Sequence, residues 1–363
     1  MCDQDLPVLA SVVGSVGRLR LNRPKALNSL NLQMVELMTQ HLQQWLGDDA
    51  ISAVVVTSES DKAFCAGGDV RAVRDEVLAD RPEVGDQFFQ IEYRLNKLIA
   101  DFAEQKPYVA VIDGIAMGGG LGISLHGSHR IVSQRASAAM PEMAIGFVPD
   151  VGVTWATQRF ATQDGSTSQG VARFLGLTGY RLNAPDLLWS GWATHFVSED
   201  QIDDFVRAIE TDGVDAALER FAGGYEEAVD AVGQPSELAE LRGCIEPIFA
   251  ADTWLEMETA LDNYGGGSGS CTREQINKIN GLLRSASAMS LVAGAELYAA
   301  NAKVDLATAL QNEAQVGAIM IRHRNFAEGV RAVVVDKDRN ARFDPVRADA
   351  VDPTPIRSVL TTN

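Results

Sequence analysis

Two wholly apolar runs, Val54-Val55-Val56 and Val109-Ala110-Val111-Ile112, are each followed by a glycine-bearing stretch and then by a helix-like segment. An unbroken apolar run of this kind reads as a strand buried on both faces, and strands alternating with helices point to an α/β core. The flanking sequence agrees. Ser11 to Leu21 is strand-rich, and Asn31 stands where it can cap a helix whose apolar positions Met34, Met38, Leu42 and Trp45 recur at helical spacing. Asp86 to Phe102 is helical, and a short helix follows the second glycine cluster. From about Ser198 onward the segments Ile202 to Glu210, Ala216 to Phe221 and Ala288 to Ala300 are amphipathic and helical. Tyr264-Gly265-Gly266-Gly267-Ser268-Gly269-Ser270 reads as a flexible loop. No fixed-period repeat is visible. The simplest division is an α/β domain over 1–200 and a mainly helical region over 201–363.

At 363 residues with 46% apolar content, the chain is long enough for one large domain or two ordinary ones, with a sizeable core. No run approaches the roughly eighteen apolar residues that a membrane span needs. The opening Met1-Cys2-Asp3-Gln4-Asp5 is acidic and unlike a signal or transit peptide. Cys2, Cys65, Cys244 and Cys271 are scattered, with no metal-type pair and no disulfide framework, so a reducing cytoplasm is expected. A net charge of −18 repels nucleic acid and anionic lipid heads, so neither is expected as a partner. An anionic ligand would need a locally basic site. Arg23, Lys25, Lys62 and Arg71 are candidates; the alternative for each is a solvated surface charge.

Four places can carry chemistry. Ala63-Phe64-Cys65-Ala66-Gly67-Gly68-Asp69-Val70-Arg71 has small residues whose free N–H groups can bind an oxyanion; the alternative is an ordinary glycine turn. Asp113-Gly114-Ile115-Ala116-Met117-Gly118-Gly119-Gly120-Leu121-Gly122 runs into a helix start, where unpaired N–H groups and the dipole favour a negative oxygen; the alternative is close helix–sheet packing. Its spacing fits neither a dinucleotide fingerprint nor a P-loop. Met140 to Gly152 holds two acids, Glu142 and Asp150, in an apolar run that would raise their pKa and suit them to proton transfer. The competing reading is two solvated loop acids, or a cap from Asp150. Glu92 falls within the stripe Phe88, Leu95 and Ile99, either buried for a purpose or at the stripe's edge with its carboxylate in water. His41, His126, His129, His195 and His323 show no ligand spacing, and Gly-x-Ser-x-Gly is absent.

Together these segments resemble the crotonase, or enoyl-CoA hydratase/isomerase, superfamily. Leu21-Asn22-Arg23-Pro24-Lys25-Ala26-Leu27-Asn28-Ser29-Leu30 is similar to its first signature, Ala63 to Asp69 to the second and Gly114 to Gly122 to the third. Ala139 to Gly152, Thr178 to Leu182, Ala193 to Val197 and Phe326 to Val333 are closer to its branch that hydrolyses 3-hydroxyisobutyryl-CoA in valine breakdown. The resemblance runs from about residue 8 to 205 and then weakly to about 345. It implies a spiral of β-β-α turns followed by helices. It implies a bent CoA along the early loops, with Lys25, Ala26, Ala66, Asp69 and Val70 binding substrate. It also implies an oxyanion hole made by the Gly68 and Gly119 N–H groups, which should converge on one point.

The acids then separate the reactions that the resemblance allows. The hydratases' first glutamate would fall at Gly122, where this chain has no carboxylate. Their second matches Glu142, and Asp150, eight residues on, resembles the hydrolase branch's extra acid. The implied activity is thioester hydrolysis. Glu142 is the nucleophile or the general base, Asp150 orients water or holds the substrate hydroxyl, and Glu92 is a second polar contact. No metal or redox cofactor is implied; CoA belongs to the substrate, and a homo-oligomer is left open. Two departures, Val153-Thr154-Trp155 and the polar insert Asp164 to Gly170, are expected near the acyl pocket and bear on which acyl group fits. Two rivals stand beside this reading: a hydratase or isomerase, and a non-catalytic acyl-CoA-binding protein.

Overall fold

A computed structural model describes residues 6–264 and 271–362. The chain opens with an antiparallel hairpin of β1 (Val8–Val13) and β2 (Val16–Leu21). Thereafter strands enter in pairs, one for each of two sheets. β3 (Ala53–Ser58), β5 (Tyr108–Ile112), β7 (His129–Val132) and β9 (His195–Phe196) extend the hairpin in parallel to a six-stranded sheet of order β1-β2-β3-β5-β7-β9. β4 (Ala63–Cys65), β6 (Ile115–Met117) and β8 (Ser137–Ala139) form a second, three-stranded parallel sheet.

This is the spiral of β-β-α turns that the resemblance implies. Its strands in the large sheet start at residues 8, 16, 53, 108, 129 and 195, so successive turns differ greatly in length. That irregular spacing hides the repeat from a search for a fixed period.

The helices follow from local signals. Asn31 caps α1 (Leu32–Leu46) by accepting from the Met34 N–H, and Met34, Val35, Met38, Leu42 and Trp45 form its buried face. α2 (Val70–Leu78) is capped by Asp69. α3 (Pro82–Ala103) begins with proline at a position where no N–H is needed. Its buried face holds Phe89, Leu95, Ile99 and Phe102, but also Glu92, Tyr93 and Asn96. α4 (Gly119–Leu125) is buried along its whole length. The outer face of the large sheet is covered by helices Ile202–Asp212 and Val214–Phe221.

Every helix from Ile202 to Arg357 lies after the last strand of the large sheet, so the texture change near residue 200 marks the end of the spiral. Among the described residues no helix is long and apolar enough to cross a membrane. The expected glycine-serine loop lies, from residue 265 on, outside the described residues; Tyr264 closes the helix Trp254–Tyr264. One expectation is overturned. Cys244 and Cys271 are joined in a disulfide, with Cα atoms 5.2 Å apart across 27 residues of chain. The pairing is set by how helix Glu237–Phe249 packs against the start of Arg273–Leu283, which spacing does not reveal. It removes the support that scattered cysteines gave to a reducing compartment.

The tightest junction in the spiral joins α4 to β4. A β-carbon on Gly120 would overlap the carbonyl of Cys65 and lie 3.0 Å from the Cys65 side chain. Backbone cannot yield there as a flexible side chain can. Gly120→Ala should therefore destabilise the protein by about 1–3 kcal/mol, the usual cost of overpacking, measured by denaturant unfolding.

Candidate active site

The small sheet decides where the site lies. Ala63 and Cys65 of β4 pair with Ile115 and Ala116 of β6, and Met117 of β6 pairs with Ala139 of β8. Parallel neighbours release their following loops side by side, here with an irregularity between Ala63 and Cys65. Those loops carry Gly68, Gly119 and Glu142.

The loop after β4 is railed by the first motif. The Ala66 N–H donates to Leu27 O (3.0 Å), the Leu30 N–H to Gly67 O (2.7 Å) and the Asp69 N–H to Leu30 O (2.8 Å). Buried Asn28 ties the two motifs together: its Nδ2 donates to Ser58 Oγ (2.7 Å) and Phe64 O (3.0 Å), while its Oδ1 accepts from the Arg23 N–H (2.8 Å). The Gly68 amide is left over. Gly119 opens α4, so its amide has no partner within the helix. Among the described residues neither amide has a recorded acceptor in the protein. The two lie close together: a β-carbon on Gly119 would lie 3.1 Å from Gly68 N, and one on Gly67 would lie 3.9 Å from Gly119 N.

Three carboxyl groups surround this corner. A side chain at Gly119 would overlap Glu92 Oε1, and one at Gly68 would lie 3.8 Å from Glu92 Oε2. Glu92 is 1% exposed, so the reading that puts its carboxylate in water is wrong. The stripe lies on the buried face of α3, and the start of α4 at Gly119 packs against the Glu92 carboxyl, which keeps it from water. Glu142 opens the short turn after β8, and a β-carbon on Gly118 would lie 2.7 Å from its Oε1. Asp150 accepts a 2.7 Å hydrogen bond from the hydroxyl of Tyr93. Glu142 and Asp150 are both buried, which excludes the solvated-loop reading, and the Asp150 side chain caps no helix.

Burial sets their proton affinities. Burial, reinforced by Asp150 and Glu92, pushes Glu142 well above the ordinary carboxylate range. Burial, then Asp150, does the same for Glu92. Asp150 is pushed up to about 7 by burial, against the opposing hydrogen bond from Tyr93. Glu92 Oε1 and Glu142 Oε2 are buried with no hydrogen-bond partner, as are both amide atoms of Asn96 one helical turn from Glu92. Unsatisfied acceptors in a cluster of acids beside two free amides suit a ligand that brings its own polar groups. Among the described residues no group of three or more His, Cys, Asp or Glu is placed to hold a metal ion.

The enoyl-CoA hydratase/isomerase family model matches residues 16–360. The chain belongs to that family. It is 34% identical to the 3-hydroxyisobutyryl-CoA hydrolase, mitochondrial, of Xenopus laevis over 98% of this chain and 88% of that one. It is 33% identical to the protein of that name from Homo sapiens, over 93% of this chain and 84% of that one. Among solved structures, a carnitinyl-CoA dehydratase from Mycobacterium thermoresistibile matches with a TM-score of 0.84 at 34% identity, covering 98% of this chain and 97% of that one. An enoyl-CoA hydratase from Rhodobacter sphaeroides 2.4.1 also gives 0.84, at 32% identity over 98% and 97%.

At Gly122, where the resemblance puts the hydratases' first glutamate, there is no room for a side chain. A β-carbon there would lie 2.7 Å from Val151 Cβ and 2.8 Å from Asn96 Nδ2. α3 and the Asp150-Val151-Gly152 turn together fill the space. Of the residues expected along the CoA path, Lys25 and Ala26 lie in the short helix Pro24–Ala26, and Ala66 and Val70 flank the Gly68 loop. Asp69 has two structural tasks, accepting from the Ala72 N–H (3.3 Å) and pairing with Arg23 (3.0 Å). Arg23 is thereby committed to Asp69 and to Ser29 O, whereas Lys25, Lys62 and Arg71 are exposed and form no ion pair among the described residues. The polar insert is tied to the C-terminal helices. Asp164 is held by Thr162, Ser166 and Arg242 of helix Glu237–Phe249, and not by the acid cluster.

Sequence reasoning missed Tyr93, Asn96 and Glu313. Each had the signal that singled out Glu92: a polar residue on the apolar face of a helix. Glu313 lies among buried Leu310, Val316 and Gly317.

The raised proton affinity of Asp150 has a stability consequence. Burial pushes its folded-state pKa up to about 7, above the ordinary value of 3.8. The folded state therefore binds the proton more tightly, and stability falls as pH rises through that window. Asp150→Asn removes the penalty. It should raise the unfolding temperature, with a gain larger at pH 8 than at pH 5 and amounting to about 1 kcal/mol or more at the higher pH. Paired thermal melts at the two pH values check this.

Proposed function

We propose that this chain is an acyl-CoA thioester hydrolase whose substrate is 3-hydroxyisobutyryl-CoA or a close 3-hydroxyacyl relative. One observation carries the reading. At Gly122, where the hydratase branch places a glutamate, packing against Val151 and Asn96 leaves no space for one, while Glu142 remains and Asp150 is added. Hydration across a double bond needs two acid/base groups on the adding water. Thioester cleavage needs one activated attack on the carbonyl carbon. The curated relatives, matched over nearly the whole chain, are named for that cleavage.

In this mechanism the thioester oxygen enters between the Gly68 and Gly119 amides. Negative charge that grows on it in the transition state meets fixed donors, worth about 3–4 kcal/mol each in other acyl-transfer enzymes. Glu142 acts in its ionised form by one of two routes. Its carboxylate attacks the carbonyl carbon, the C–S bond breaks with CoA leaving as the thiolate, which takes up the proton that Glu142 gave to the acid cluster, and water opens the resulting anhydride, returning a proton to the cluster. Alternatively it takes a proton from water, whose oxygen attacks directly. Asp150 holds the water or the substrate hydroxyl, and Glu92 supplies a second polar contact. The proton that Glu142 must lose can pass within the acid cluster, where one member titrates near neutrality.

Hydration or dehydration is the second reading, favoured by the two solved structures with a TM-score of 0.84. A panel of saturated and unsaturated acyl-CoAs, followed for thiol release and for loss of the enoyl chromophore, separates the two. A cytoplasmic location is also kept as a proposal. Cell fractionation with an activity assay on each fraction checks it, with a mitochondrial fraction, as in the relatives' names, the competing outcome.

Glu142→Gln keeps size and hydrogen bonding and removes the charge that both routes need. Thiol release should fall by about 10²–10⁴-fold. Binding of a non-reactive CoA thioether should change little, because the Gly68 and Gly119 loops are untouched. Near-normal thiol release from this variant refutes both roles.

A further inference from the structure

The Asp150 turn closes with one local bond, from the Val153 N–H to Asp150 O (3.0 Å), across backbone that its residues do not favour. Val151 has φ +54° and Gly152 φ +79°, so a β-branched residue sits in left-handed backbone that it rarely adopts. Something outside the turn must impose that conformation. From below, His126 does so: its Nε2 lies 2.7 Å from Val151 O and donates to it, on a ring that burial keeps neutral. From above, the contact comes from 161 residues further along the chain. Glu313, on helix Leu306–Arg322 and 0% exposed, accepts from the Gly152 N–H at 2.7 Å through Oε2 and from the Thr154 hydroxyl at 2.5 Å through Oε1.

The carboxyl of Glu313 is itself fixed. Thr154 Oγ1 accepts from Asn301 Nδ2 (2.7 Å), and Asn301 Oδ1 accepts from Asn312 Nδ2 (2.8 Å). Asn312 closes the chain of contacts by exchanging two bonds with the Thr361 backbone, at 3.0 and 2.8 Å. Thr154, Asn301, Asn312 and Glu313 are all fully buried. Among the described residues no cation pairs with this carboxyl, burial pushes its pKa up to about 8, and such a group is an expensive way to hold packed helices together. Its two bonds go to residues two and four places after Asp150.

We infer that Glu313 is a positioning residue for Asp150. The helical C-terminal region uses it to clamp the Asp150-Val151-Gly152 turn, so that the Asp150 carboxyl is held against the Tyr93 hydroxyl and faces the acyl end of the substrate. This rests on the proposed role of Asp150. It gives the helices after residue 200 a task in the reaction. It also accounts for Val153-Thr154-Trp155: Thr154 is the hydroxyl that orients the clamp.

The test uses the full-length enzyme and a short saturated 3-hydroxyacyl-CoA, with thiol release followed in Asp150→Asn, Glu313→Leu, Glu313→Gln, Thr154→Val and the Asp150→Asn/Glu313→Leu double variant. Glu313→Leu removes the acceptor for the Gly152 N–H and should lower kcat by about 10- to 100-fold, the cost of a displaced catalytic group, with KM within about threefold. Glu313→Gln keeps an acceptor there and should recover most of that loss. The double variant should be no slower than Asp150→Asn alone, because a clamp has nothing to position once the carboxylate is gone. Wild-type kcat in Glu313→Leu, or an equal further loss when it is added to Asp150→Asn, would overturn the inference and leave Glu313 a structural residue only. Should Glu313→Leu not fold, Thr154→Val gives the same reading through a loss of about 3- to 10-fold confined to kcat; an unchanged kcat there overturns it equally. Wild-type turnover in Asp150→Asn alone would sink the reading of Asp150, and the clamp with it, separately from anything the Glu313 variants do.

Discussion

Parallel pairing of three very short strands is the constraint on which the rest of this molecule depends. β4, β6 and β8 have three residues each, yet their register brings the ends of three separate turns of the spiral to one corner. Two of those ends leave an amide without a partner, and the third delivers a carboxyl. The large sheet and its helices hold the small sheet in place. The overlap that any side chain at Gly120 would make with Cys65 shows how little slack that arrangement has.

Around that corner the protein accumulates groups that oppose its own stability. Glu92, Glu142 and Asp150 are buried within electrostatic reach of one another, and among the described residues none of them pairs with a cation. Each prefers to keep its proton, and two carboxyl oxygens and the Asn96 amide are left without partners. Val151 adds strained backbone at the same place. Costs of this kind, gathered at one point in an otherwise well-packed core, are the physical mark of a site arranged for a ligand. The same tuning makes one acid able to change protonation near neutral pH.

Much of this was legible in the chain. Buried strands, glycine loops and the apolar run around Glu142 and Asp150 are local patterns, and each predicted strand and helix is present. Glu92 was visible as an acid in a helical stripe, but its burial was not. Stripe edges are wet or dry according to what packs over them, and α4 comes from a different turn of the spiral. Glu313 and Tyr93 were passed over for the same reason. Cys244 and Cys271 gave no signal, because their approach is a property of two packed helices.

The sequence by itself determined the α/β class, the order of strands and helices, and the residue types able to bind an oxyanion and move a proton. Those depend on periodicity and on side-chain chemistry, which act over a few residues. Tertiary structure alone decided that Gly68 and Gly119 share one corner, that no side chain fits at Gly122, and that a carboxyl 161 residues away grips the turn behind Asp150. These are relations between turns of unequal length. Only the register of the strands and the close approach of α3, α4 and helix Leu306–Arg322 fix which distant residues share a hydrogen bond or exclude one another's atoms.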